Sequence, residues 1–120
     1  MKLRKRQYES ELVEQVLDDL QASSLQSDAR FTESFIGSRV RKGQGPLRIR
    51  SELRDRGVDE CLVDEYLEAY SDQWQVILQD IHDAKYGSLK PDSSKEMARR
   101  ARFLESRGFP GELIRGLLLD

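Results

Sequence analysis

Arg39, Arg41 and Lys42 stand just before a Gly43-Gln44-Gly45-Pro46 turn, and Arg48, Arg50, Arg54 and Arg56 follow it, with only Glu52 and Asp55 as acids in between. Cations at the end of a helix oppose its negative dipole end, which accounts for some of these residues. Seven bases around one turn exceed what that compensation needs. Such a cluster suits an acidic protein surface or the phosphates of a nucleic acid backbone. Lys95, Arg99, Arg100 and Arg102 form a second basic run fifty residues on. Aromatic residues do not interleave with these bases, so stacking of single-stranded bases is not indicated.

Other candidate chemistry falls away on inspection. The Gly43-Gln44-Gly45-Pro46 run lacks the Lys and Ser or Thr that close a phosphate loop, and Pro46 has no N–H to offer, so a tight helix–helix turn is the better reading. His82-Asp83 has no second histidine or cysteine cluster to complete a metal site, and a solvated helix end is expected there. The scattered carboxylates of 59–83 read as solvated faces. The sequence therefore predicts no catalytic residue, no metal, no cofactor and no small-molecule substrate.

The chain has 120 residues, 35% of them charged and 38% hydrophobic, a balance suited to thin helices that each bury one stripe. The net charge of −2 argues against a general nucleic-acid binder, but the sign alternates along the chain. Residues 2–6 are basic, 9–33 acidic, 39–56 basic, 57–83 acidic without a single Lys or Arg, and 85–107 basic again. No apolar run reaches the roughly 18 residues of a membrane span. The basic start, Met1 to Tyr8, has no apolar signal core, so a cytoplasmic protein is expected. Cys61, the only cysteine, cannot form an internal disulfide and reads as buried filler beside Leu62 and Val63.

A repeat underlies the charge alternation. Leu53-Arg54-Asp55-Arg56-Gly57-Val58 matches Leu104-Glu105-Ser106-Arg107-Gly108-Phe109 at an offset of 51, and Leu62, Val63 and Leu67 match Leu113, Ile114 and Leu118. Leu3, Arg6, Gln7, Tyr8 and Leu12 give a third copy with Gln in place of Gly. Spacing kept three times predicts stacked helical units. Within each, Pro46 suits a first helical turn, Gly57 and Gly108 suit left-handed caps, and Asp59 and Ser93 suit N-caps. The fold class is therefore all-α, with tandem three-helix repeats in an elongated, curved array. The expected helices are 28–42, 46–56 and 59–70 in one unit and 72–86, 94–107 and 110–119 in the next, preceded by a helix near 9–21. The domains are then 1–22, the remnant of a first repeat, 27–70 and 71–120, with Gly43, Gly45, Pro46, Gly57 and Gly108 as structural turns.

Arg30-Phe31, Phe35-Ile36, Arg39, Lys42-Gly43, Gly45-Pro46, Arg48-Ile49, Glu52-Leu53 and Arg56-Gly57-Val58 together resemble the central signature of the RecX regulatory proteins. Lys85-Tyr86-Gly87, Arg102-Phe103-Leu104 and Arg107-Gly108-Phe109 are similar to that family's C-terminal part. The resemblance implies a non-enzymatic protein that binds in the groove of a RecA–DNA filament. It further implies altered filament growth and reduced strand exchange, ATP hydrolysis and coprotease activity, in DNA repair and the SOS response. The filament-binding residues would be Arg39, Arg41, Lys42, Arg48, Arg50, Lys95, Arg99, Arg100 and Arg102, meeting RecA and DNA phosphates within the filament. The alternative is an independent helical DNA-binding module with the Arg48 helix as its recognition element.

Overall fold

A computed structural model describes the backbone of residues 2–119 and the side chains of residues 9–119. The side chains of the basic run 2–6 and of the Leu3–Tyr8 copy of the repeat lie outside the described residues. Among the described residues there are six helices and no strand: α1 (Lys2–Arg41), α2 (Pro46–Asp55), α3 (Glu60–Glu68), α4 (Trp74–Tyr86), α5 (Ser94–Ser106) and α6 (Gly111–Leu119). The protein is all-α. The chain divides into two compact units, Met1–Phe31 and Thr32–Asp120.

In the first unit the sequence led us to expect a helix near 9–21, separate from one starting near Asp28. α1 instead runs through both segments without interruption. No Gly or Pro occurs between Lys2 and Ile36, and Ala22, Leu25 and Gln26 are good helix formers, so nothing forces the backbone out of the helix at Ser23 or Ser24. Leu12, Val13, Val16, Leu17 and Leu20 recur at helical spacing, and all are exposed.

The second unit holds both remaining three-helix sets around one core. Ile36, Ile49, Leu53 and Val63 come from the earlier set and Leu78, Leu104 and Phe109 from the later, each at most 1% exposed. Burial of such side chains contributes roughly 1.5–3 kcal/mol apiece and drives the helices together. Trp74 bridges the sets, its ring 5.7 Å from Tyr70 and edge-on to Phe109 at 6.4 Å. Helices α3 and α6 span nine residues each and lie 51 positions apart at both ends.

Backbone capping explains where the helices stop. Gly43, Gly57 and Gly108 have φ of +83°, +78° and +98°. After each, the next N–H reaches back to a carbonyl five residues earlier: Gln44 to Arg39, Val58 to Leu53, Phe109 to Leu104. This closure ties off the last carbonyls of α1, α2 and α5. At the other ends, the Asp59 carboxylate accepts from the Cys61 N–H at 2.8 Å and the Ser93 hydroxyl from the Glu96 N–H at 3.1 Å. Pro46 opens α2, where its missing N–H costs nothing.

Two of these turns do more than redirect the chain. The N–H of Gly45 donates to the Arg107 carbonyl at 2.7 Å, and that of Leu47 to the Gly108 carbonyl at 2.9 Å. The start of α2 is thereby bonded, backbone to backbone, to the end of α5. A Cβ on Gly45 would lie 2.5 Å from the Gly108 oxygen, and one on Gly108 would run into the backbone nitrogen of Arg48 at 2.7 Å and its Cβ. Glycine is required on both sides of this joint.

Candidate interaction surface

The basic residues singled out in the sequence divide into three environments. The first is neutralised. Arg39 lies 3.1 Å from Glu52 and over the Phe35 ring, Arg48 reaches the same carboxylate at 3.3 Å, and Arg50 pairs with Asp64. Arg54 pairs with Glu60 at 2.8 Å. The acidic block that follows the basic one in sequence thus folds back against it, because α3 packs beside α2. Exposed pairs of this kind stabilise by only about 0–1 kcal/mol, yet each reduces the net positive charge offered to a partner. In the later set Arg99 sits 3.3 Å from Glu96 but stays 61% exposed.

The second environment is the interior, and it holds Arg100. Only 6% exposed, Arg100 is removed from the basic face on which the sequence placed it. Its guanidinium donates to the Leu89 carbonyl at 2.6 Å and to Glu96 at 3.2 Å, and lies over the Tyr86 ring at 4.8 Å. It also contacts His82 Nε2 at 3.2 Å. A guanidinium has donors only, so Nε2 accepts, and the imidazole hydrogen on Nδ1 points to Asp83 Oδ1 at 2.9 Å. That hydrogen bond, with a second from Gln79, holds the Asp83 carboxyl below the usual carboxylate range. His82-Asp83 is therefore not a solvated helix end: His82 is 5% exposed and belongs to a buried polar chain that ties α4 to α5 and to the 87–93 connection. In the repeat register Arg100 falls where the earlier set has Ile49, a core position. That alignment was the available signal for its burial.

The third environment is open and cationic. Arg41 and Lys42, at the end of α1, line a hollow of about 380 Å³ together with Lys85 near the end of α4 and Arg107 after α5. Ile81, Ala84 and Phe103 form its floor. No carboxylate lines it, and among the described residues none of these four cations has an ion pair. Sequence reasoning found Arg41 and Lys42 but not Lys85 and Arg107. Their shared place at helix C-terminal ends was the only hint. Lys95 and Arg102 are exposed on α5.

Cys61 is exposed in the first turn of α3, not buried. Val63 and Leu67 turn the buried face of that helix inward, and position 61 lies off it. Among the described residues no cluster of His, Cys, Asp or Glu could hold a metal, and no helix is long and apolar enough to cross a membrane.

Two three-helix sets that share one core, with basic side chains on their second helices and turns, define a helical repeat protein. Residues 27–67 match the family described as RecX, second three-helix domain, and residues 71–118 match RecX, third three-helix domain. The chain is 41% identical over 117 residues to the regulatory protein RecX of Pseudomonas syringae pv. tomato, covering 98% of this chain and 76% of that one. It is 43% identical to the same-named protein of Pseudomonas putida, over 98% of this chain and 75% of the relative. Against that of Halorhodospira halophila it is 38% identical, over 95% of this chain and 71% of the relative. The chain belongs to the RecX family of regulatory proteins.

Proposed function

We propose that this protein binds in the groove of the RecA–DNA filament and lowers the recombinase, ATPase and coprotease activities of RecA, acting in the cytoplasm by contact and without catalysis or cofactor. Family membership supports the regulatory role. The observation that carries the binding mode is the set of exposed cations on the second helices of the two sets: Arg48 and Arg99 at the same register, with Lys95 and Arg102 on the same helix as Arg99. A filament repeats its acidic and phosphate surfaces along its axis, so a repeat protein can meet it with repeated basic contacts. Arg39 and Arg50 take part less, since Glu52 and Asp64 already hold them. Arg100 is left out of this face. Residues 1–22 are read as the end of a first repeat, with Leu12, Val13, Val16 and Leu17 its core stripe.

An independent DNA-recognition helix is the weaker reading, because α2 alone offers only Arg48, Arg50 and Arg54, each with a carboxylate partner, whereas the repeat face adds Lys95 and Arg102 of α5, which have no ion pair among the described residues. The test is the fourfold reversal of Arg48, Lys95, Arg99 and Arg102 to Glu, which spares the buried Arg100. The variant should fold and lose inhibition of RecA ATP hydrolysis, and raised salt should weaken the wild-type complex in the same direction. A folded variant that inhibits as well as the wild type would remove this face from the binding surface.

A further inference from the structure

We infer that the hollow between the ends of α1, α4 and α5 is a phosphate-binding site, formed by Arg41, Lys42, Lys85 and Arg107 and separate from the α2 and α5 outer faces. Four cationic residues from the ends of three helices line it, with no acid among the lining residues. This contrasts with Arg39, Arg48, Arg50 and Arg54, each of which has a carboxylate partner. These side chains are not needed as caps: the Arg39 and Val40 carbonyls of α1 and the Leu104 and Glu105 carbonyls of α5 already accept from the backbone N–H groups of Gln44, Gly43, Phe109 and Gly108.

The site is also built in advance. Lys85 Nζ lies 3.8 Å from the centre of the Phe103 ring and the Arg107 guanidinium 5.5 Å from it. Phe103 is held in turn by an edge contact from Tyr86 at 5.9 Å. The Gly45–Arg107 and Leu47–Gly108 hydrogen bonds hold the backbone of the α1–α2 turn, which follows Lys42, against the end of α5 that carries Arg107. A tetrahedral phosphate has oxygens enough to meet several such donors at once, and two of the four are guanidinium forks suited to it. Because Lys85 covers the only aromatic ring of the hollow, the site reads phosphate and not base. The phosphate could be a diester of a nucleic acid strand or a free polyphosphate.

The intact chain tests this in two arms. Fluorescence anisotropy with a labelled single strand measures the diester, and amide shifts of Gly43 and Gln44 on adding tripolyphosphate measure the free anion. Lys42→Gln with Lys85→Gln should weaken strand binding about tenfold and lower the salt slope by about 1.4. Arg30→Gln with Arg115→Gln, which removes equal charge elsewhere, should change it less than threefold. Shifts with tripolyphosphate that vanish in the first variant indicate a general phosphate site; strand binding alone indicates a diester site. Equal weakening by both variants would mean diffuse electrostatics and overturn the proposal, as would a wild type that binds neither probe. If Lys42→Gln/Lys85→Gln lost its helical circular dichroism, Lys42→Arg/Lys85→Arg would decide: that variant must retain binding. The assay contains no RecA, so loss of filament binding with retained strand binding would sink the regulatory reading and leave this one standing.

Discussion

Residues 49 and 100 occupy the same register in the two three-helix sets, and both are buried, one as an isoleucine and the other as an arginine. Ile49 belongs to an apolar core that includes Leu53, Val63 and Phe109. Around Arg100 the second set has assembled His82, Glu96, Tyr86 and the Leu89 carbonyl, so that the charge is paired and hydrogen-bonded. The longer connection between α4 and α5, 87–93, supplies one of those partners, whereas 42–45 joins α1 to α2. The same backbone thus tolerates opposite side-chain chemistry wherever the neighbours change with it. A repeat conserves geometry more faithfully than composition.

Exchanging the two residues should break this relation most severely. Ile49→Arg places a guanidinium in an apolar core, and a loss of several kcal/mol, enough to unfold a small domain, is expected by urea denaturation. Arg100→Ile leaves only the partners unsatisfied and should cost less, about 3 kcal/mol. If the two exchanges cost the same, the polar chain is not what makes room for Arg100.

The glycines after α2 and α5 sharpen the comparison. Both have positive φ, but nothing lies within 4 Å of a Cβ on Gly57, while one on Gly108 meets the backbone of Arg48. Gly57→Val should lose about 1–2 kcal/mol through backbone strain alone. Gly108→Val adds overpacking at the joint and should lose roughly 3 kcal/mol or more. Equal shifts in melting temperature would show that the close approach of Gly108 to the Arg48 backbone carries no stability.

The smallest effect is a pH dependence that arises only in the second set. The Asp83 carboxyl is held below its unfolded value by the His82 and Gln79 hydrogen bonds. The stabilisation is therefore complete above the unfolded carboxyl pKa, about 3.9, and disappears as pH falls through the lower folded value. The wild type should lose stability below about pH 4 by a small increment absent in Asp83→Asn. Identical acid limbs for the two proteins would detach Asp83 from the polar chain.

Much of the fold was legible in residue order because its causes are local. Pro46, Gly57, Gly108, Asp59 and Ser93 set helix starts and stops through their own backbone and nearest neighbours, and the pairs Leu53/Leu104 and Leu67/Leu118, each 51 positions apart, are buried in both sets. The unbroken α1 was misjudged for a related reason: Asp28 can cap a helix, but a local cap signal does not by itself interrupt a strongly helical run. The basic surface was less legible. Charge counts place Arg50 beside Arg48, yet Asp64 reaches the one and solvent much of the other, which depends on how α3 lies against α2. Arg100 reads as one more surface base until α4 brings His82 beneath it. Lys85 and Arg107 are 22 positions apart and become neighbours of Arg41 and Lys42 only when two turns are bonded together through Gly45 and Gly108. Sequence alone determined the helical period and, outside α1, the helices and most of their ends, since those rest on interactions within a few residues. Tertiary structure alone decided which charges are cancelled, buried or left open, because Coulomb and desolvation energies depend on distances between segments that chain order does not contain.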